Sequence, residues 1–464
     1  MMGRLTGGQG QLFYEFHLDD VVPADHLVRR IDSVLDLGWL HKELAPFYSN
    51  TGRPSIDPEL MIRMLLVGYV FAIRSERRIC AEVRVNLAYR WLCRLSIEDT
   101  IPDHSVFSRA RHERFRESEV LRRVFERVVA TCIAAGLVGG EAFSIDASLI
   151  RADVDQTRRV PGEEAVEWPK PEEASRAITE YLAALDEARA TEDGGDGGDG
   201  GSDRKPPKQI SLTDPQAAWV ARKKMSAFFA YDANYLIDNR LGIIVDAEGT
   251  RANRSAEIAV TETMIARVAR RYALSPKRLA ADTVYGTGHL LKWLTDRDIA
   301  PHIPVWDKSR LTNGRFTRDD FSYDKERDVY ICPGGKLLTS TGNIDQGRIL
   351  YYRALKSDCS ACSLKPQCTT GPVRKVTRDI DEAVRDRVRT LANTEAFQQS
   401  RRERKKVEML FAHMKRILKL DRLRLRGLSG ARDEVLLVAT AQNLRKLAKY
   451  VERPPPGAPI ACVA

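Results

Sequence analysis

The feature that most constrains this chain is a change of pattern at Glu141. Before it, apolar residues recur at helical spacing; after it, short apolar runs alternate with helical ones. Residues 142–150 (AFSIDASLI) read as a buried strand carrying one acid, Asp146. FAYDANYLID and GIIVDAEGT read as two more strands, joined by a turn at 239–242. A helix over 256–272 follows. RLAADTVYGTG, residues 278–288, reads as a strand entering a glycine-punctuated turn, with Asp282 at the strand end. A helix, HLLKWLTDR, and a strand, IAPHIPV, close the series. This alternation predicts an α/β fold built on a mixed sheet.

The remaining segments divide the chain around that sheet. At 464 residues, two or three domains are expected. Residues 1–138 read as an all-α domain, with Asp57-Pro58-Glu59 as a helix start. Its short helices carry Arg78, Arg84, Arg109, Arg111 and Arg114. A helix-turn-helix-like DNA-binding unit and a plain bundle with a basic surface both fit that pattern. The α/β domain is expected to occupy 139–310 and 376–450. Residues 155–225 interrupt it as an insertion, and 191–208 (TEDGGDGGDGGSDRKPPK) have the composition of a disordered linker. Residues 311–375 form a second, cysteine-containing insertion, and 451–464 a disordered tail. A late basic helix is expected to run through LRLRGLSG and end at Gly427 or Gly430. DEVLLVATAQNLRKLAKYV then reads as an amphipathic helix packing on the sheet.

Four of the eight cysteines, Cys332, Cys359, Cys362 and Cys368, are spaced C-x26-C-x2-C-x5-C. Such a set can supply tetrahedral Zn²⁺, and unmetallated thiols fit it equally. Cys80, Cys93 and Cys132 lie in apolar helical contexts and read as core residues. The most apolar stretch, residues 65–73, is far too short to span a bilayer. A cytoplasmic protein with reduced thiols and no membrane partner is the expectation.

The net charge of +10 favours a polyanionic partner. Between residues 401 and 426 there are 11 Lys/Arg against 3 Asp/Glu, a local excess of 11 − 3 = +8. A solvated helix face is the plain reading of such a run. Within it, Arg404, Glu408 and Lys415 share one face of a helix. Phosphodiester chemistry needs two divalent ions about 3.5–4 Å apart, held by oxygen ligands, with cations to offset charge at phosphorus. Asp146, Asp282 and Glu408 suit that task by context. Asp153, Asp155, Asp232, Asp246 and Glu403 are also eligible, and spacing does not choose among them.

The chain resembles the bacterial insertion-sequence transposases of the DDE type. Arg404-x3-Glu408-x6-Lys415 matches three positions of that family's Y-x2-R-x3-E-x6-K motif; Arg401 stands where the family has Tyr. FSIDAS with Asp146, and ADTVYGTG with Asp282 and Tyr285, resemble the two earlier acidic motifs. GRPSIDPELMIRMLL, IRSERRIC and IPDHSVFSRAR resemble the helical N-terminal domain, and CPGG with CSAC and QC resembles the cysteine insert of one subgroup. The resemblance implies a ribonuclease H-like fold in which Asp146, Asp282 and Glu408 hold two Mg²⁺ (or Mn²⁺) ions. It implies cleavage at terminal inverted repeats and strand transfer into target double-stranded DNA, by a homodimer or higher assembly in a bacterial, nucleoid-associated setting. Arg404 and Lys415 are then expected at the DNA phosphate beside the scissile bond. Arg401, Lys405, Lys406, Arg109 and Arg111 are expected to attract DNA, and Tyr285 to pack rather than react. A nuclease that cuts without joining, and a non-catalytic DNA-binding relic, share most of these residues.

Overall fold

Local sequence and burial together start the N-terminal helices. The Asp57 carboxylate accepts a hydrogen bond from the Leu60 N–H at 3.0 Å, and Pro58 fills the first turn of α1 (Pro58–Val70). Nearly every side chain of α1 is buried, including Arg63. Arg63 is tolerated there because Asp32, Glu59 and the Leu92 carbonyl accept its donors. α2 (Glu76–Val85) and α3 (Val120–Ala134) follow in this region. The computed structural model describes all residues except 1–14, 50, 53–54, 171, 194–206, 222–225, 306–313, 346 and 451–464.

The central strand, β1 (Ala142–Arg151), is buried at both faces over most of its length. After it come the short strands β2 (Arg159–Pro161), helix α4 (Arg176–Asp193), β3 (Gln209–Ser211) and β4 (Ala218–Val220). β2 and β3 pair only with each other. The long hairpin β5 (Phe228–Asp238) and β6 (Ile243–Arg251) follows, turning at Gly242, whose φ of +70° favours glycine. α5 (Arg254–Tyr272), β7 (Arg278–Ala280), α6 (Gly288–Thr295) and β8 (Ala300–His302) finish the series.

The strands stand in the order β6-β5-β1-β7-β8, with β4 paired to the first residues of β5. β1, β5 and β6 are antiparallel, whereas β7 and β8 run parallel to β1. An antiparallel meander on one side of the first strand and two parallel strands on the other is a ribonuclease H-like order, the fold that the family resemblance implies. Parallel neighbours need crossovers, which α5 and α6 supply.

The segment 155–225 is more ordered than its composition suggests. It holds α4, which the sequence reading lacked, and β4, which extends the main sheet. The linker expected at 191–208 lies mostly outside the described residues, as do the tail 451–464 and Cys462.

The second insertion folds on a core of its own. β9 (Ser322–Asp324), β10 (Val329–Ile331), β11 (Leu337–Asp345), β12 (Ile349–Ala354) and β13 (Lys375–Asp379) form an antiparallel sheet in the order β13-β12-β11-β10-β9. Phe321, Tyr330, Leu338, Tyr352, Ala354 and Val376 are its buried cluster. α7 (Glu382–Leu391) leads back to the main body, followed by α8 (Glu395–Arg416) and α9 (Gly427–Tyr450).

Two expectations about these helices need correction. The basic helix α8 stops at Arg416, and Gly427 and Gly430 lie in the first turns of α9 rather than at the end of α8. α9 is not amphipathic but buried along most of its length, between the sheet and the N-terminal helices. Burying each of Val435, Val438 and Leu444 contributes about 1.5–3 kcal/mol. Asn443 satisfies the outer edge of the sheet: it donates to the Ile244 carbonyl at 2.8 Å and accepts from the Ile244 N–H at 3.0 Å. Gly249 is required where α9 crosses β6, because a Cβ there would lie 3.0 Å from the Arg432 backbone nitrogen.

Candidate active site

β1 and β7 bring the first two acids together. Their parallel register pairs Ala142 with Arg278 and Ser144 with Ala280. Asp146 lies two residues beyond Ser144 on β1, and Asp282 two residues beyond Ala280, past the end of β7, where its charge acts on Asp146. Asp282 lies just past β7 and caps a short turn, accepting from the Val284 N–H at 2.8 Å. Burial pushes the Asp146 carboxyl above the ordinary range. Arg404 opposes that shift and the Asp282 charge adds to it.

α8 lies along β1 and supplies the cations. Arg404 donates to Asp146 Oδ2 at 3.4 Å, and Lys415 Nζ donates to the Leu149 carbonyl at 3.2 Å. Glu408 falls between these contacts on the same helical face. One turn before it is Arg404. Three residues after it, Phe411 meets Tyr235 with ring centroids 5.6 Å apart, and Tyr235 is the register partner of Asp146 in β5. Glu408 itself is exposed on α8, and among the described residues the side chains as they lie do not gather it with Asp146 and Asp282 into a metal-holding group.

Most of the other eligible acids are engaged elsewhere. Asp153 pairs with Arg422 and Arg426, and Asp246 with Arg122 and Arg267. Glu403 faces Arg278 at 3.4 Å, and Asp155 caps the turn at Thr157. Asp232 is different. It is 2% exposed on β5, and its side chain hydrogen-bonds to that of Glu257 in the first turn of α5. Burial beside Asp232, with Asp282 and Asp146 near, pushes the Glu257 carboxyl up to about 8. Nothing in the sequence singles out Glu257, because an acid in the first turn of a helix is commonplace.

Tyr285 packs, as expected: it is 1% exposed. Its hydroxyl has no hydrogen-bond partner, and the charges around it are those of Glu257, Asp146, Asp282 and Asp232. Burial and those four carboxyls push the phenol far above its ordinary range. Among the described residues, no group of three or more His, Cys, Asp or Glu side chains is placed to hold a metal ion as the side chains lie. The donor chemistry nevertheless suits a hard divalent cation: carboxylate oxygens gathered beside an orphaned buried hydroxyl.

The basic residues sort by exposure. Arg401, Lys405 and Lys406 are exposed on α8, with Lys406 Nζ donating to the Asn239 carbonyl at 3.3 Å. Arg109 is exposed in the N-terminal region. Arg111 is not a surface residue: it is 2% exposed and held 2.5 Å from Glu76 Oε1, so its charge is spent inside the helical region.

The cysteines of the insertion gather at one end of the small sheet. Cys332, Cys359 and Cys368 pack against its buried cluster, and the charges of Cys359, Cys332 and Cys362 all bear on Cys368. A Cβ at Gly334 would lie 3.7 Å from the sulfurs of both Cys332 and Cys362, and the Lys336 N–H donates to Cys332 Sγ at 3.3 Å. Cys80, Cys93 and Cys132 are buried and free, as their apolar contexts predict.

Residues 16–113 match the family described as a transposase domain (DUF772), and residues 331–448 match the family described as a transposase DDE domain. The second match includes Glu408; Asp146 and Asp282 lie between the two. A cryo-EM structure of the piggyBac transposase synaptic complex with hairpin DNA matches over 93% of this chain and 81% of that chain. Its identity is 11% and its TM-score 0.30, a likeness too slight to bear on the fold. No curated protein sequence matches. Among the described residues, no helix is long and apolar enough to cross a membrane.

Proposed function

We propose that this chain, a DDE-type transposase by its two family matches, cuts DNA at element ends and joins the freed ends to target DNA through Asp146, Asp282 and Glu408. The observation that supports this best is the placement of α8 along β1, which sets Arg404 on Asp146, with the Asp282 charge close by. A divalent cation, Mg²⁺ or Mn²⁺, would neutralise the scissile phosphate and activate the attacking oxygen when bound. Asp146 and Asp282 would hold it from the rigid sheet. Glu408, exposed on α8, would have to turn in toward them to complete the set.

Arg404 keeps a cation beside Asp146, and its planar guanidinium suits the remaining phosphate oxygens. Lys415, fixed to the Leu149 carbonyl, sets a second positive charge further along β1. Arg401, Lys405, Lys406 and Arg109 are exposed and serve general attraction to the DNA backbone. Hydrolysis and strand transfer are both in-line attacks on phosphorus, so one set of residues serves both. Joining two ends at one target requires two such sites in one assembly, so a second copy of this chain is the expected partner. The gathered thiols Cys332, Cys359, Cys362 and Cys368 are proposed to take Zn²⁺ as a structural clasp of the insertion.

The test is a strand-transfer assay with pre-cleaved element ends, a target plasmid and Mg²⁺. Joined product is expected. Cleavage of uncut ends with no joined product would reduce the protein to a nuclease.

A further inference from the structure

α2 in the N-terminal region has two unlike faces. Ile79, Cys80 and Val83 are buried. Arg77, Arg78, Ala81, Arg84 and Val85 are exposed, and their spacing of i, i+1, i+4, i+7 and i+8 makes one stripe along the helix. Cations therefore alternate on this face with two small apolar side chains, and Val85 is 75% exposed. Glu82 meets Arg78 at 3.3 Å, a surface pair that a stronger anion can displace at little cost.

The stripe is held in place from behind. α1 and α2 meet across the turn 71–75, in which Ala72 takes a φ of +59°. Gly68 lets the two helices close up, because a Cβ there would lie 2.9 Å from Ile79 Cγ1. The helix His104–Ala110 packs on α2, and the Arg77 guanidinium donates to His104 Nε2 at 3.3 Å. Within the turn, Arg74 donates to the Lys419 carbonyl and, at 2.8 Å, to the Arg422 carbonyl. Arg422 in turn bridges to Arg151 at the end of β1. Lys419, Arg422, Arg424 and Arg426 are exposed on that loop, so positive charge continues from α2 toward the strand that carries Asp146.

A helix presented across a short turn from a buried partner is the geometry that enters a major groove. Ten residues of helix are about 15 Å long, and the groove is about 12 Å wide. Arg side chains match the paired acceptors of guanine there, and small apolar groups meet the thymine methyl. We propose that the exposed face of α2 reads base edges in the element's terminal DNA, with Arg78 and Arg84 as its specificity-determining residues. The loop 419–426 then carries the duplex backbone toward β1. The inference rests on DNA ends being the substrate, as given under Proposed function.

The test uses full-length protein, without divalent metal, and two labelled duplexes of equal length. One carries the element's own end and the other the same bases shuffled; fluorescence anisotropy gives a Kd for each. Wild type should prefer the end. Arg78→Ala and Arg84→Ala should each raise the Kd for the end by about tenfold to a hundredfold, and that for the shuffled duplex by no more than about threefold. Arg84→Lys keeps the charge and should still lose much of the preference. These positions are exposed, so each variant should melt as wild type does. Equal weakening on both duplexes would make the two arginines backbone contacts and overturn the proposal, as would unchanged binding or a wild type with no preference. Cutting of the end duplex with Mg²⁺ by wild type and Asp282→Asn is scored alongside. If Asp282→Asn cuts as wild type does while the preference depends on Arg78 and Arg84, the catalytic reading fails and the assignment of α2 stands. If Asp282→Asn does not cut and the arginine variants bind both duplexes as wild type does, the assignment of α2 fails and the catalytic reading stands.

Discussion

Arg404 and Asp146 are 258 positions apart in the chain and 3.4 Å apart in the fold. Their contact fastens a late helix to the first strand of the sheet, past two insertions. Arg404→Ala is expected to lower DNA cleavage by roughly 10²-fold, about 2.7 kcal/mol, the usual loss when one transition-state charge partner is removed. Arg404→Lys should recover part of it, since a point charge replaces a planar fork. Single-turnover cleavage of labelled duplex measures both; a rate for Arg404→Ala within a factor of about two of wild type would remove Arg404 from the site.

A second buried contact ties the N-terminal region to α9. Arg74 meets Glu434, which is fully buried, and Glu434 also accepts the Leu425 N–H at 2.7 Å. Glu434→Gln strands a buried guanidinium and is expected to cost about 3–5 kcal/mol. Thermal unfolding should show a clear fall in melting temperature. An unchanged melting temperature would show that the N-terminal region is not held this way.

The insertion has its own acid-sensitive joint. Glu382 on α7 is enclosed by Arg318, Arg385 and Arg389, and these guanidiniums hold its carboxyl down to about 2 against an ordinary 4.5. The folded value is depressed, so its stabilisation is present above pH 4.5 and is lost as pH falls toward 2. Over that window wild type should lose roughly 3 kcal/mol that Glu382→Gln, already destabilised at neutral pH, does not lose. Denaturant unfolding at pH 7 and pH 3 compares the two; equal pH dependence would contradict the assignment.

The thiol cluster predicts a metal content. Purified protein should carry one Zn²⁺ per chain, and Cys359→Ser with Cys362→Ser should lose it along with stability of the insertion. Zinc analysis by mass spectrometry of wild type and variant decides this, and a zinc-free wild type reconstituted with Zn²⁺ to no effect would reject it.

The mixed sheet was legible because its strands are short apolar runs with turn chemistry between them, and 142–150 maps closely onto β1. The face shared by Arg404 and Lys415 followed from helical spacing, and both do reach β1. What could not be read locally depended on distant partners. Arg111 looks like a surface cation until Glu76 pairs with it. Gly427 and Gly430 look like a helix stop, yet the Gly427 N–H is taken by Asp214 Oδ2 at 3.0 Å, which helps to start α9 there. Glu257 looks like an ordinary first-turn acid until β5 places Asp232 beside it.

Asp146, Asp282 and Glu408 are proposed to act as one Mg²⁺-dependent site. The direct measurement is cleavage of a labelled duplex carrying the element's own end, with Mg²⁺, by wild type, Asp146→Asn, Asp282→Asn and Glu408→Gln, each confirmed folded by its melting curve. Each substitution is predicted to lower the rate by about 10³-fold or more, because each removes a charge the reaction uses in its transition state. A variant that cuts at the wild-type rate would contradict the account, and Glu408→Gln is the one that tests it hardest.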